Sequence, residues 1–225
     1  MKAFDFQFIE NIIPLMLKYS GVTLLLSALA IIFGLIIAFI ISMVIYAKVP
    51  ILSNIFKVYI SFFRGTPLMA QLFCFYFGII PLIQNIVEIN SFQAAVIVLS
   101  VASSAYMAES LRGALEGVNI GQIEAAQSIG MNYIQMMVRI VIPQAFRIAL
   151  PTLFSSFINI IKDTSLVFAI GVKEMMAIAQ LEGASSYRYL EAFISVLLVY
   201  WGITSILGFI QKNIEKRVKL RTGGI

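Results

Sequence analysis

The chain has 225 residues, of which 60% are apolar and only 12% charged, with a formal net charge of +5. Soluble domains hold about twice that charged fraction, so a water-soluble fold and a solvated, disordered chain are both excluded. With a mean hydropathy of +0.96, the chain reads as an all-α, polytopic membrane protein.

Charge-free runs set the crossings, at about 20 apolar residues per 30 Å of hydrocarbon. The first run, residues 19–47, holds 29 residues. It ends at Lys48-Val49-Pro50, because proline cannot continue a helix interior. The run is long and lacks an Ala-x-Ala exit, so a retained span is expected rather than a cleaved leader. Residues 51–63 are short and amphipathic, which predicts an interfacial elbow. Pro67 suits the first turn of a second span within residues 65–87, and the third occupies residues 89–108. Residues 109–139 form the longest stretch outside hydrocarbon, helical in pattern and interrupted at Gly113, Gly117, Gly121 and Gly130. The fourth charge-free run, residues 148–161, has only 14 residues. It crosses only by borrowing a turn or two from residues 140–146. Residues 173–189 form an outer segment before the fifth span, residues 192–211. No repeat divides the chain, so residues 1–225 are read as one transmembrane domain.

Eleven of the sixteen Lys and Arg fall on one side of these spans, at Lys48, Lys57 and Arg64, at Arg112, Arg139 and Arg147, and in the tail from Lys212 to Arg221. The positive-inside rule then predicts an outer N-terminus and a cytoplasmic C-terminus. Anionic lipid facing that basic side accounts for the net charge without a nucleic acid. The sequence has no His, which removes His-based acid–base chemistry and His metal sites. The single Cys74 lies in an apolar run, and no phosphate-binding loop is present. No catalytic residue, metal or cofactor is therefore expected, and ATP hydrolysis would fall to another subunit.

The most specific signal is Gly121-Gln122-Ile123-Glu124-Ala125-Ala126-Gln127-Ser128-Ile129-Gly130, followed after nine residues by Ile140-Val141-Ile142-Pro143. Two short helices joined at a glycine make an elbow, since glycine accepts the left-handed turn. Ala125 and Ala126 offer a slim surface, and Glu124 an exposed charge near a helix start. On spacing alone this is either a docking knob or an ordinary amphipathic inner loop.

Glu124, Ala125, Ala126, Gly130, Ile140 and Pro143 resemble the Glu-Ala-Ala motif of membrane subunits of ATP-binding-cassette importers, with Ile142 where Leu is usual. Phe63-Arg64-Gly65-Thr66-Pro67-Leu68 with Gln71-Leu72, Ser104-Ala105-Tyr106-x-x-Glu109-x-x-Arg112, Pro143-Gln144-Ala145 and Lys162-Asp163-Thr164-Ser165-Leu166 are similar to the polar amino-acid permeases of that group. The resemblance implies a type I importer permease fold of five helices in a bacterial inner membrane. It also implies a second copy or paralogue, a cytoplasmic ATPase dimer gripping the elbow, and an extracytoplasmic amino-acid-binding protein. The Tyr59–Phe63 lead and Tyr200-Trp201 resemble cystine-type members, while arginine, glutamine and histidine stay open. A secondary transporter or channel working without an ATPase is the alternative, but neither the coupling repeat of the one nor the filter ring of the other is evident.

Charges at membrane depth cost about 2.5–3.5 kcal/mol on insertion scales and usually face a cavity or each other. Adjacent Lys162 and Asp163 cannot share a face of a regular helix. Either the helix unwinds there, the two serve different surfaces, or both sit hydrated and paired at the outer interface. Arg64, Gly65 and Thr66 combine a guanidinium, accessible backbone and a hydroxyl, which suit a carboxylate. The expected pathway residues are Arg64, Gly65, Thr66, Ser104, Lys162, Asp163, Thr164 and Ser165. Arg64 or Lys162 would face a substrate carboxylate and Asp163 an ammonium, with Thr66 and Thr164 as neutral partners.

Overall fold

The computed structural model describes residues 4–221, with side chains through residue 216, so Arg217, Lys219 and Arg221 of the basic tail lie beyond the described side chains. Helix α1 runs Phe6–Tyr46, capped by the Asp5 carboxylate, which accepts from Phe8 N. It begins well before the predicted span. Lys18, Glu10 and Pro14 look like an end in the sequence, yet Ile12 and Met16 are buried against Met175, Ile178, Ala192 and Val196. Packing overrides the local signal.

Along α1, Ser27, Ala30, Gly34 and Ala38 are buried in one strip. Their helical spacing lets a neighbouring backbone approach closely, as small residues do between membrane helices. That neighbour is α5 (Ser91–Glu116). A β-carbon at Gly34 would lie 2.8 Å from Met107 Cε and Ser103 Oγ and 3.0 Å from the Ser100 carbonyl. Helix α5 starts at a reciprocal Asn90–Gln93 capping box. It runs straight through Gly113 and ends at Gly117, so the predicted interruption at Gly113 does not occur.

Between them, α1 turns tightly into the amphipathic helix α2 (Leu52–Gly65). Leu52 N donates to the Pro50 carbonyl at 2.7 Å across Ile51, whose φ is +65°. That is a γ-turn centred on a β-branched residue, a strained arrangement. The chain then bends by 108° into the segment Leu68–Ile83. This comprises α3 (Leu68–Phe73), a π turn (Cys74–Ile79) and α4 (Ile80–Ile83). The expected elbow at residues 51–63 is thus present, and the second crossing is a bent pair rather than one long rod.

Helix α6 (Ile120–Ser128) is capped by Asn119, and Gly130 with φ +79° turns the chain into α7 (Tyr133–Met136). A π turn (Met137–Val141) leads into α8 (Ile142–Asp163), which tightens to a 3-10 segment (Thr164–Ile170). The fourth crossing therefore gains far more than two borrowed turns: Tyr133–Ile170 is one span of 38 residues. Helix α9 (Met175–Ser186) lies between α8 and α10 (Tyr189–Arg221). Among the described residues, four spans are long and apolar enough to cross a membrane, and the bent pair, taken as one span, makes a fifth.

Candidate functional site

A cleft of about 750 Å³ opens between the α2–α3 bend, α5 and α8. From α8 it receives Thr152, Ser155, Ser156, Asn159, Lys162 and Asp163, and from α5 Ser103, Tyr106, Glu109 and Ser110. Intervals of three and four residues put such sets on one helix face, so a membrane helix presents hydroxyls, an amide and a carboxylate to a single space. Those intervals in Thr152, Ser155, Ser156, Asn159 and Asp163 are the sequence signal of this face, of which the expected pathway residues include Asp163 alone.

The α2–α3 bend completes the wall with Arg64, Thr66 and Gln71. Gln71 fastens the bend: its Nε2 donates to the Phe63 carbonyl (3.1 Å), the Thr66 carbonyl (3.1 Å) and Thr66 Oγ1 (2.8 Å). Thr66 Oγ1 donates in turn to the Phe62 carbonyl at 2.8 Å. The Arg64 guanidinium stands 5.5 Å from the centroid of the Tyr106 ring. A second cleft of about 1020 Å³ lies below, lined among others by Lys48, Lys57, Arg112 and Glu116. Arg64, Tyr106 and Glu109 line both clefts and form the partition between them. Glu109 is gripped by Arg112, which also holds Glu116 at 2.6 Å.

The predicted pathway residues divide on this geometry. Arg64, Thr66, Lys162 and Asp163 meet in the upper cleft. Among the described residues, no ion pair joins Lys162 to Asp163, and the helix does not unwind there but continues into the 3-10 segment. Lys162 also lines a lateral apolar groove together with Ser165, so the adjacent pair serves two surfaces. Gly65 lines the lower cleft only. Ser104 does not reach either cleft: it is buried, donating to the Val101 carbonyl and sharing a 2.7 Å hydrogen bond with Tyr59 OH on α2. Thr164 is likewise buried, its hydroxyl turned onto the Ile161 carbonyl. In this conformation both hydroxyls are engaged within the helix packing.

At the α6–α7 elbow, Glu124, Ala125 and Gly130 are exposed, whereas Ala126 is only 1% exposed and packs into the core. The slim face therefore rests on Ala125, and Asn119 rather than Glu124 occupies the helix start. Ile120, Ile129 and Ile134 are about 70% exposed around the turn. Ile120 and Ile134 fall outside the Glu-Ala-Ala stretch, and Ile129 occupies one of its unspecified positions, so the pattern points to none of the three.

Across the molecule, the Glu174 carboxylate caps α9 through Ala177 N (3.0 Å) and accepts from Tyr200 OH (2.7 Å) and Thr23 Oγ1 (3.3 Å). Burial pushes this carboxyl above the usual carboxylate range, against the lowering effect of those donors.

Residues 30–220 match the family described as the binding-protein-dependent transport system inner membrane component. The chain belongs to this family. It is 46% identical over 209 residues to a probable amino-acid ABC transporter permease protein, PatM of Vibrio harveyi, covering 93% of this chain and 94% of that one. The L-cystine transport system permease protein TcyL of Bacillus subtilis is 37% identical over 223 residues, with 97% and 93% covered. A crystal structure of an amino acid ABC transporter with histidines superposes with a TM-score of 0.87 at 32% identity, covering 96% of this chain and all of that one. The protein is a multi-pass permease subunit of an ABC amino-acid importer in the cell membrane. The alternative of a free-standing channel or secondary transporter subunit loses its footing with that membership.

Proposed function

We propose that the permease carries a polar amino acid through the upper cleft and the partition beneath it, driven by a separate ATPase docked on the elbow. The cleft itself supports this reading: within an otherwise apolar bundle it gathers two cations, Arg64 and Lys162, and two anions, Asp163 and Glu109, of which Glu109 is already paired with Arg112. A zwitterion brings one carboxylate and one ammonium, which such a set matches. Arg64 or Lys162 holds the carboxylate, Asp163 the ammonium, and Thr66 adds a neutral hydroxyl. Cystine fits the aromatic lead at Tyr59–Phe63 and the cystine permease among the relatives; arginine, glutamine and histidine suit the same charges.

Residues 1–225 act as one domain with the N-terminus outside. A second copy or paralogue joins through the second to fourth spans, an outer binding protein delivers the substrate, and Glu124, Ala125 and Gly130 meet the cytoplasmic ATPase dimer. The permease needs no cofactor of its own, since ATP is bound by that partner. The test is uptake of labelled arginine, glutamine, histidine and cystine into proteoliposomes holding permease, ATPase and binding protein. ATP-dependent accumulation of one of them is expected; uptake by the permease alone, without an ATPase, would end this reading.

A further inference from the structure

Buried polar atoms in folded proteins are almost always hydrogen-bonded, and each exception needs an explanation. Among the described residues one buried side-chain atom has no partner, the carbonyl oxygen Oε1 of Gln71. Its orientation is not arbitrary. Turning the amide over would set Oε1 against the carbonyls of Phe63 and Thr66, which now accept from Nε2. The donor half of the carboxamide is consumed by the bend, and the acceptor half is left over on a residue that lines the upper cleft. An unmade buried acceptor is destabilising, so it is retained for a partner that is not always there.

We infer that Gln71 Oε1 is a fixed acceptor for the ammonium group of the transported amino acid. This inference rests on the amino-acid reading above. An ammonium has three donors, so it can bond both Asp163 and Gln71 and leave one donor to spare, whereas a ligand with a neutral hydroxyl at that position has a single donor and satisfies only one of them. Solvent does not reach Oε1 in this conformation. The ammonium therefore arrives with a rearrangement of the cleft, and the bend that Gln71 fastens is where recognition and movement meet. Gln71 is thereby a specificity-determining residue as well as a clasp.

The experiment uses the assembled permease–ATPase complex in nanodiscs, without binding protein. Equilibrium binding of labelled L-arginine, L-glutamine, L-histidine and L-cystine is compared with that of their 2-hydroxy-acid counterparts. The native complex should favour the amino acid by about 10- to 100-fold, the range for a hydrogen bond to a charged group. Gln71→Lys keeps a donor for the two carbonyls but removes the acceptor, so the preference should collapse while the melting temperature holds. Gln71→Glu keeps an acceptor but sets its second oxygen against the Phe63 and Thr66 carbonyls, so its melting temperature should fall while the folded complex keeps the preference. If no amino acid binds the native complex, the amino-acid reading fails. If native protein binds both series alike, or Gln71→Lys discriminates as well as native, the inference about Gln71 is overturned and the amino-acid reading stands.

Discussion

Arg64 on α2 stands over the ring of Tyr106 on α5, and this contact forms part of the wall that two clefts share. A cation held on an aromatic face gains about 0.5–2 kcal/mol, more as water is excluded. It is also free to leave, because the ring makes no directed bond. Tyr106→Phe preserves the face and should transport near the native rate. Tyr106→Ala opens the partition and should raise ATP hydrolysis in the absence of substrate, measured on the reconstituted complex.

On the proposed reading, replacing either member of the adjacent charged pair at the cleft removes one charge-assisted hydrogen bond to the substrate, about 1.5–3 kcal/mol. Lys162→Met and Asp163→Asn should each weaken apparent affinity roughly 10- to 100-fold, with the complex still assembling. Uptake kinetics alongside native mass measurement check both halves of the statement. Arg64→Lys is expected to be defective too, since an ammonium cannot reproduce the planar fork of a guanidinium.

The elbow offers a separable defect. A side chain at Gly130 meets no atoms within 4 Å, but its φ of +79° disfavours any residue with a β-carbon, by about 1–2 kcal/mol. Gly130→Trp, and Ile129→Asp on the exposed apolar rim, should reduce transport and substrate-stimulated ATP hydrolysis together. Detergent-phase melting should fall modestly for Gly130→Trp, through the strain at its positive φ, and hardly move for Ile129→Asp, whose side chain is exposed.

Gly34 is the opposite case, a packing position with no freedom. Gly34→Leu drives several atoms into Ser100, Ser103 and Met107, and overpacking of this kind typically costs 1–3 kcal/mol or about that much more. A lower melting temperature and poor membrane yield are expected, with no change in substrate preference of whatever folds.

Glu174 makes stability depend on pH. Because burial raises its carboxyl in the folded protein, the fold binds this proton more tightly than the unfolded chain does. Stability contributed by protonation is present at low pH and lost as pH rises from the ordinary carboxylate range through the raised folded value. Glu174→Gln should flatten that dependence in thermal melts. Glu174→Ala should destabilise at every pH, since it strands the Tyr200 and Thr23 hydroxyls and removes the α9 cap.

Much of this architecture is legible in the sequence because membrane solvation is a blunt constraint. Charge-free length locates the spans, and glycine with alanine locates the elbow at Gly130. What escapes is whatever depends on a distant surface. The early start of α1 comes from Ile12 and Met16 finding α9 and α10, a contact no local pattern encodes. The inward turn of Ser104 and Thr164 follows from which helix face meets α2 or the Ile161 carbonyl, so their motifs mark packing as much as transport. The partition of Arg64, Tyr106 and Glu109 joins residues from two elements whose relative placement only the fold decides.

The unbroken span Tyr133–Ile170 joins the turn at Gly130 to the polar cleft as a single lever arm. At 1.5 Å per residue, Asn159 lies about 39 Å from Tyr133 along the axis. A tilt of about 5° about the inner end sweeps Asn159 sideways by about 3 Å, the length of a hydrogen bond. The π turn at Met137–Val141 sits near the fulcrum. A small rotation at the Gly130 end is thus geared into a displacement of hydrogen-bond length at Asn159 and Asp163, while the hydrogen bonds that Ser155 and Ser156 make within α8 travel with the helix.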